Sequence, residues 1–492
     1  GEALAGVVHV ITRRPAVNGI AGTGYAAMGG DDESSYGGLL NLGNSKLQGQ
    51  FNAGHTESGA SGDDASVDLD TVSGALRLAD NDRYTAGIFA AQIERDSTGF
   101  PDDSGGPRLA VNRELTSRTS TDRRYGGDIS FGDIRDLQLQ LKASEFKRRA
   151  SDDNAAIDAG ERFPVPAFTT DTDFERRDAA ITLSKSYGSG ASIVVGAERA
   201  DEDGRLDSVG DFMFAGSPQA LNFSLDRETT AIFFEGRFHL LPAVTAQLGL
   251  RHDRIDESHS SDSETTPHLG LVWELPNGAT TLKANLNEGF KPPSFFALGF
   301  PLGGNPDLKP ERSKNADLTL AQRIDAAGSV LQLSIFHTRY KDLVDFDSDT
   351  FTNINRGTII VQGIEPELDL KLDQRWRVHA NASLLNIDEQ DGLQPLRNRP
   401  ERTAAASVAY DFEGGHTAFI GLSHSGEFLD RSNPTGDIRM PSFTVVTAAA
   451  SLHFGALRVS VAVDNLFDKD YEQFVGFAAQ DRRLRVELRG GF

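Results

Sequence analysis

Apolar and polar residues alternate one for one along most of this chain. Leu137, Leu139 and Leu141 interleave with Gln138, Gln140 and Lys142, and Val244, Ala246, Leu248 and Leu250 with Thr245, Gln247, Gly249 and Arg251. The pattern returns at Leu282, Ala284 and Leu286, at Trp376, Val378, Ala380 and Ala382, and at Leu457, Val459, Val461 and Val463. A period of two puts the two sets on opposite faces of a β-strand. Leu139, Leu248, Leu286 and Val461 are therefore expected on an apolar face, and Gln140 and Gln247 on a polar one. Short turns are predicted at 43–45, 80–82, 132–135, 188–190, 241–242, 276–278, 326–328, 373–374, 413–415 and 455. Longer polar connections, such as 96–114, 149–169 and 288–313, alternate with them. Counting connections gives about 22 strands, with both chain ends on the short-turn side, as bacterial membrane barrels require. Barrels of that size are plugged transporters rather than small packed barrels.

The expected fold class is thus all-β: a transmembrane antiparallel β-barrel with short periplasmic turns and long extracellular loops. Aromatic residues support it. Tyr84, Phe131, Tyr187, Phe238, Trp273, Trp376, Phe412 and Phe454 gather near the short turns, where a barrel needs rings at headgroup level; rings capping a soluble barrel are the alternative. No run of about 18 apolar residues occurs, which excludes a transmembrane helix. The mean hydropathy of −0.36 fits a soluble protein equally well, because alternating strands keep the average low. The chain contains no cysteine, which removes disulfides and thiolate metal sites. A net charge of −23 argues against a nucleic-acid partner. It suits divalent cations or cationic ligands, or only solubility.

One stretch departs from the alternation. Residues 287–313 read NEGFKPPSFFALGFPLGGNPDLKPERS. Prolines at this density cannot sit inside a sheet, and each restricts the residue before it. The stretch is expected to be a long structured loop, with the next strand starting near Lys314. Phe290, Lys291 and Pro292, followed by Asn305, Pro306, Asp307, Leu308, Lys309, Pro310 and Glu311, resemble the signature loop of TonB-dependent outer-membrane receptors. Three further segments carry the resemblance. Asn465, Leu466 and Phe467 open NLFDKDY, and the chain ends on an alternating strand closed by Phe492. Residues 351–370, with Asn353-Ile354 and Gly363-Ile364-Glu365, are similar to the family, and so is Val7-Val8-His9-Val10-Ile11-Thr12, with His9 where the family usually has Asn.

The resemblance implies the following. Residues 1–16 are a remnant of the plug domain, its last strand, and 17–492 are the barrel. The rest of the plug, the energy-coupling segment and a leader peptide are expected upstream of Gly1. The protein is expected in the bacterial outer membrane, as a receptor or transporter for a scarce ligand such as a ferric siderophore, cobalamin or haem, and not as an enzyme. Its expected partners are membrane lipid and lipopolysaccharide, the TonB energy-coupling complex, the small-molecule ligand and the barrel assembly machinery, which reads the terminal strand. A passive porin-like channel is the alternative, with a soluble all-β binding protein or a membrane hydrolase behind it. No Gly-x-Ser-x-Gly elbow or phosphate loop supports a hydrolase.

Candidate sites are few. The signature residues read as structural: Asn305-Pro306 and Lys309-Pro310 fix a loop shape, and Asp307 can bond its own backbone. Ligand-binding residues are expected in the extracellular loops, without individual assignment. Asp345, Asp347 and Asp349 alternate, so their carboxylates can share a face and hold a hard cation such as Ca2+; a solvated acidic strand end is the plainer reading. The same two readings apply to Asp63-Asp64 with Asp68 and Asp70, and to Asp152-Asp153 with Asp158 and Glu161. His252 and His259, among Asp253, Asp256, Glu257 and Asp262, lack recognisable zinc spacing.

Overall fold

The computed structural model describes Leu4 and residues 18–59, 65–80, 83–133, 136–188, 190–214, 216–258, 260–324, 328–347, 350–390, 392–393 and 395–492. Several sequence expectations lie outside these residues. They are the plug strand at 7–12, turn residues 81–82, 134–135, 189 and 326–327, the pair Asp63-Asp64, His259 and Asp349.

The expected strands form one antiparallel sheet of 22 strands. Its first strand, Gly19–Gly29, pairs with Ser34–Gly43 on one side and with the last strand, Arg483–Gly491, on the other. The sheet is therefore closed, and no edge is left to pair with another chain. All ten short turns fall between paired strands. Three are built by an acceptor side chain that takes two following backbone N–H groups: Asn44 from Lys46 and Leu47, Asn277 from Ala279 and Thr280, and Asp373 from Arg375 and Trp376.

Register separates the two faces as expected. Leu248, Leu269 and Leu286 are directly opposite one another on three neighbouring strands and are exposed on the outer wall. Leu139 and Val461 are only half-exposed, yet Leu139 shares its row with the exposed Phe131 and Leu183, and Val461 shares its row with Val486, Ala450 and the exposed Met28. On the opposite face Gln247 lies beside Arg237 and Gly270, and Gln140 beside Ser130 and Thr182. The rings near the short turns form the expected girdle. Tyr84 faces Phe131 across a strand pair, and the Tyr410 ring lies 4.6 Å from Trp376 and 4.5 Å from Phe412.

The outer halves of the strands correct the sequence reading. Strands Leu137–Asn154, Phe168–Ser186, Ser192–Gly210 and Gln219–Leu241 run well past the apolar band. Asp152 and Asp153 are strand residues, not loop residues, and Asp152 is buried against Arg118. Strand pairing also continues to Asp256 opposite Ser261, so Asp253 and Asp256 are strand residues too. Above the bilayer both faces meet water or protein, so apolar alternation stops while the backbone ladder continues.

Candidate functional site at the outer mouth

The signature stretch is shorter as a loop than its prolines suggest. Strand Thr280–Lys291 and strand Glu311–Arg323 pair up to Phe290 with Arg312 and Lys291 with Glu311, so only 292–310 leaves the sheet. Phe290, Lys291 and Glu311 are ladder residues. Inside the loop Ser294 caps a short helix, Phe295–Gly299, by accepting from the Ala297 N–H at 3.1 Å. Ala297 and Leu298 bury themselves with Leu308 against Leu225 and Val344.

The polar motif residues are spent on the loop's own shape. Asn305 accepts from the Asp307 N–H at 3.0 Å and donates to the Asn353 carbonyl at 2.9 Å. Asn355 clasps Lys309 twice, accepting from its N–H at 2.8 Å and donating to its carbonyl at 3.0 Å. Glu311 accepts from the Val344 N–H at 2.9 Å and pairs with Lys291 at 3.3 Å. Asn353 and Asn355 belong to a small hairpin, Val344–Asp347 with Thr352–Asn355, that docks on the loop. Two of the stretches singled out in the sequence are thus halves of one assembly. Their pairing was missed because nothing local links Asn305 to Asn353.

The same hairpin answers for the acidic triplet. Asp345 pairs at 3.1 Å with Arg356, which is 1% exposed, and Asp347 accepts from the Thr350 hydroxyl at 2.6 Å. Neither joins a three-ligand group among the described residues. The His252 cluster is also dispersed: Arg251 holds Asp253, Arg254 holds Asp256, Arg227 holds Glu257, and His252 bonds Thr265 at 2.9 Å. Cross-strand neighbours do gather two other groups, His55 with Asp68 and Asp70, and Glu367 with Asp369 and His379. Each histidine already has a carboxylate partner, at 3.0 Å for Asp70 and 2.7 Å for Asp369. Only strand pairing brings these residues together, so spacing along the chain could not reveal them.

Facing the lumen beneath the loop is a strip of arginines and rings. Arg118 grips Asp152 and Arg148 grips Asp122, the latter at 2.7 Å. Arg176 meets Glu202 at 3.0 Å. Arg124 lies 4.9 Å and Arg148 5.7 Å from the Phe146 ring. The rings continue from Phe146 to Phe174 and on to Phe295, each step 6.2 Å. Phe295 comes from the signature loop and lies over Gly204, where any Cβ would overlap its ring. Arg227 stacks on that ring at 4.8 Å, donates to the Pro293 carbonyl at 2.6 Å and pairs with Glu257 at 2.7 Å. The loop is therefore folded inward and held to the wall. Guanidinium edges and ring faces together suit anionic, flat groups.

The C-terminal motif is local. Asn465, at a φ of 48°, donates to the Lys469 carbonyl at 2.9 Å and accepts from the Lys469 N–H at 2.8 Å, which shapes the last outer connection. Leu466 donates its N–H to Val446, and Phe467 is exposed. Phe492 exchanges two backbone hydrogen bonds with Gly22, both 3.0 Å.

Comparison with known proteins agrees with this geometry. The family described as "TonB dependent receptor-like, beta-barrel" matches residues 18–466. The vitamin B12 transporter BtuB of Vibrio cholerae is 25% identical over 244 residues, which covers 48% of this chain and 38% of that protein. The iron-regulated outer membrane virulence protein of the same species is 21% identical over 99% of this chain and 76% of its own length. Among solved structures, the ferripyoverdine receptor of Pseudomonas aeruginosa superposes with a TM-score of 0.81 at 17% identity, covering 98% of this chain and 72% of that one. The ferric yersiniabactin uptake receptor of Yersinia pestis gives 0.82 at 17% identity, covering 98% and 81%. The chain spans 38% to 41% of the length of the BtuB relatives it matches. It belongs to the TonB-dependent receptor family, as an outer-membrane β-barrel. That family is one of receptors and transporters, which sets the passive porin aside.

Proposed function

We propose, with family membership as the premise, that this chain is the transporting wall of an energised uptake receptor. A scarce ligand, of the kind represented by a ferric siderophore, cobalamin or haem, is captured at the outer mouth. It then enters the lumen when the TonB complex pulls on a plug. Residues 1–16 belong to that plug in this reading, and 17–492 are the barrel. The Ser313 hydroxyl, on the strand carrying the signature loop, donates to the Leu4 carbonyl, which supports a plug segment lying against the wall. The chain itself performs no covalent chemistry.

The observation that carries the reading is the inward-held signature loop. Phe295 and Arg227 complete a strip with Arg124, Phe146, Arg148 and Phe174, and a lined, narrowed mouth serves selective capture better than passive leak. The test is uptake by the full-length protein in cells lacking other receptors, offered labelled ferric siderophores, cobalamin and haem. One ligand should accumulate, and only while the proton gradient is intact. Arg124→Ala with Phe174→Ala should weaken its binding several-fold. Entry of all solutes at rates indifferent to the gradient would overturn the proposal.

A further inference from the structure

Outer loops from both sides of the seam, where the first and last strands close the barrel, meet across the mouth. On one side are the connection between strands Tyr84–Gly99 and Thr116–Gly132 and the one between Leu137–Asn154 and Phe168–Ser186. On the other side, Arg397 stands in the connection after strand Trp376–Glu389. The connection after Thr417–Ser425 folds back there as a small hairpin, Phe428–Ser432 with Gly436–Met440. The two sides touch at Asn433, which is 2% exposed. Its N–H donates to the Asp103 carbonyl at 2.6 Å, its carbonyl accepts from the Glu161 N–H at 2.9 Å, and its side-chain amide donates to the Asp158 carbonyl at 2.6 Å. A second contact joins Arg108 to Glu472 at 2.8 Å.

Three guanidiniums converge at this joint, each from a different connection. Arg162 pairs with Asp103 at 2.6 Å. Arg397 grips Asp437 with two hydrogen bonds, at 2.7 and 3.0 Å. Arg431 is directly opposite Asp437 in the hairpin, yet its side chain forms no hydrogen bond or ion pair among the described residues. It lies within electrostatic reach of all four groups, Arg162, Arg397, Asp103 and Asp437. Burial first, and then the two arginines, hold its guanidinium below the usual arginine range. Three cations thus face two carboxylates in a half-buried spot, although the chain's net charge is −23. A charge withdrawn from water without a partner is costly, so the joint lacks one negative charge. Arg439 lies on the same face of the hairpin but is 71% exposed and has Glu427 at 3.9 Å.

We propose that Arg431, Arg162 and Arg397 form a seat for a small free oxyanion of the phosphate class, which latches the loops of the two sides together across the mouth. A guanidinium carries five N–H donors, so one carboxylate does not exhaust Arg162. Charge-assisted bonds from several guanidiniums suit an oxyanion, which accepts on more than one oxygen at once. Size favours a free ion over the acidic group of a captured ligand. Asp430 and Ser432, which flank Arg431, and Asn433 are each 5% exposed or less, which leaves little room for a bulky molecule. The seat is separate from the strip of Arg124, Phe146 and Phe174, and it does not depend on what the receptor transports.

The chain has no cysteine, so two introduced cysteines carry spin labels at known places only. Phe163→Cys and Phe474→Cys, at exposed positions on the two sides, report the distance across the joint in the folded chain in detergent. Inorganic phosphate is then added while chloride keeps the ionic strength constant. Phosphate should narrow the distance distribution of the labelled parent. Arg431→Gln should raise the phosphate concentration required by about tenfold or more. Arg162→Gln should act in the same direction, and it serves as the second variant where one does not fold. Heat-modifiable migration identifies folded barrel in each preparation. Arg439→Gln, a charge change on the same hairpin face, should leave the response unchanged. Haem, cobalamin and a ferric siderophore are added separately, without phosphate, as the other source of an acidic group. Distances indifferent to phosphate overturn the proposal, and so does an equal response from the parent and both seat variants. A response weakened as much by Arg439→Gln would mean general charge screening and overturns it too. So does closure produced only by one of the three larger ligands.

Discussion

The guanidinium of Arg227 is 8% exposed and reaches a carboxylate on each neighbouring strand and the carbonyl of Pro293 in the signature loop. Replacing it with alanine leaves Glu257, 16% exposed, without its cation, and leaves Glu202, 10% exposed, with Arg176 alone. Removing one partner of a buried pair costs about 3–5 kcal/mol. Arg227→Ala should therefore lower the denaturation midpoint of the folded barrel and expose 292–310 to protease, whereas Arg254→Ala on the outer face should do neither. Proteolysis of both at native pH separates them. The sequence marked neither Arg227 nor Gly204, because a lone arginine and a lone glycine in strands give no sign of what will fold over them. A second side chain acts at the opposite rim. The N–H groups of Trp376 and Arg375 hold the Asp373 carboxyl below the usual carboxylate range. A carboxyl lowered by folding adds stability above its unfolded pKa, and that stability is lost as pH falls through the lowered value. Asp373→Asn keeps the acceptor and removes the titration, so its denaturation midpoint should vary less than wild type's over the acidic range.

Strands were legible wherever the bilayer imposes two unlike faces, and illegible where it does not. Between Ser184 and Ile181 one strand alternates plainly; from Arg177 outward it carries Arg177, Arg176, Glu175 and Asp173, yet it remains paired as far as Phe168. The sequence therefore yielded strand number and facing, but misplaced outer strand ends and read Asp152 as a loop residue. The loop assembly was half legible: its prolines announced a structured turn, while the Asn353–Asn355 hairpin that clasps it is a tertiary contact. The facing itself is open to a sharp test. Leu286 is 55% exposed to lipid, and arginine there should cost about 2–4 kcal/mol if it lies near the midplane. Gln247 lies in the lumen row, so arginine there should cost little. Equilibrium unfolding of the chain refolded into lipid vesicles measures both. Equal losses would mean that the faces have been exchanged.

Closure is the property that no single strand has. The first and last strands meet through Thr23 with Gly491 to Gly29 with Arg485, at the greatest separation along the chain that any pairing here spans. Contacts between remote segments form slowly, because loop-closure entropy is lost before the contact rewards it. The seam should therefore be the last ladder to form and should limit the rate of assembly. Phe492 stands at its end. It exchanges two backbone hydrogen bonds with Gly22, and its ring lies where a Cβ on residue 22 would come within 2.6 Å, so a side chain at 22 and this ring exclude each other. The ring itself is 83% exposed, which means that little of its value is packing within the barrel. Removing Phe492 deletes the two hydrogen bonds that finish the seam and leaves the lipid-facing row of Leu484, Val486 and Leu488 intact. The truncated chain should reach the same strand content by circular dichroism but acquire heat-modifiable migration more slowly, in vesicles as well as in cells. Gly22→Val should slow it in the same way by displacing the ring. If the truncated chain closes as fast as the whole one in vesicles but assembles poorly in cells, the residue is read by the assembly machinery and contributes nothing to the seam.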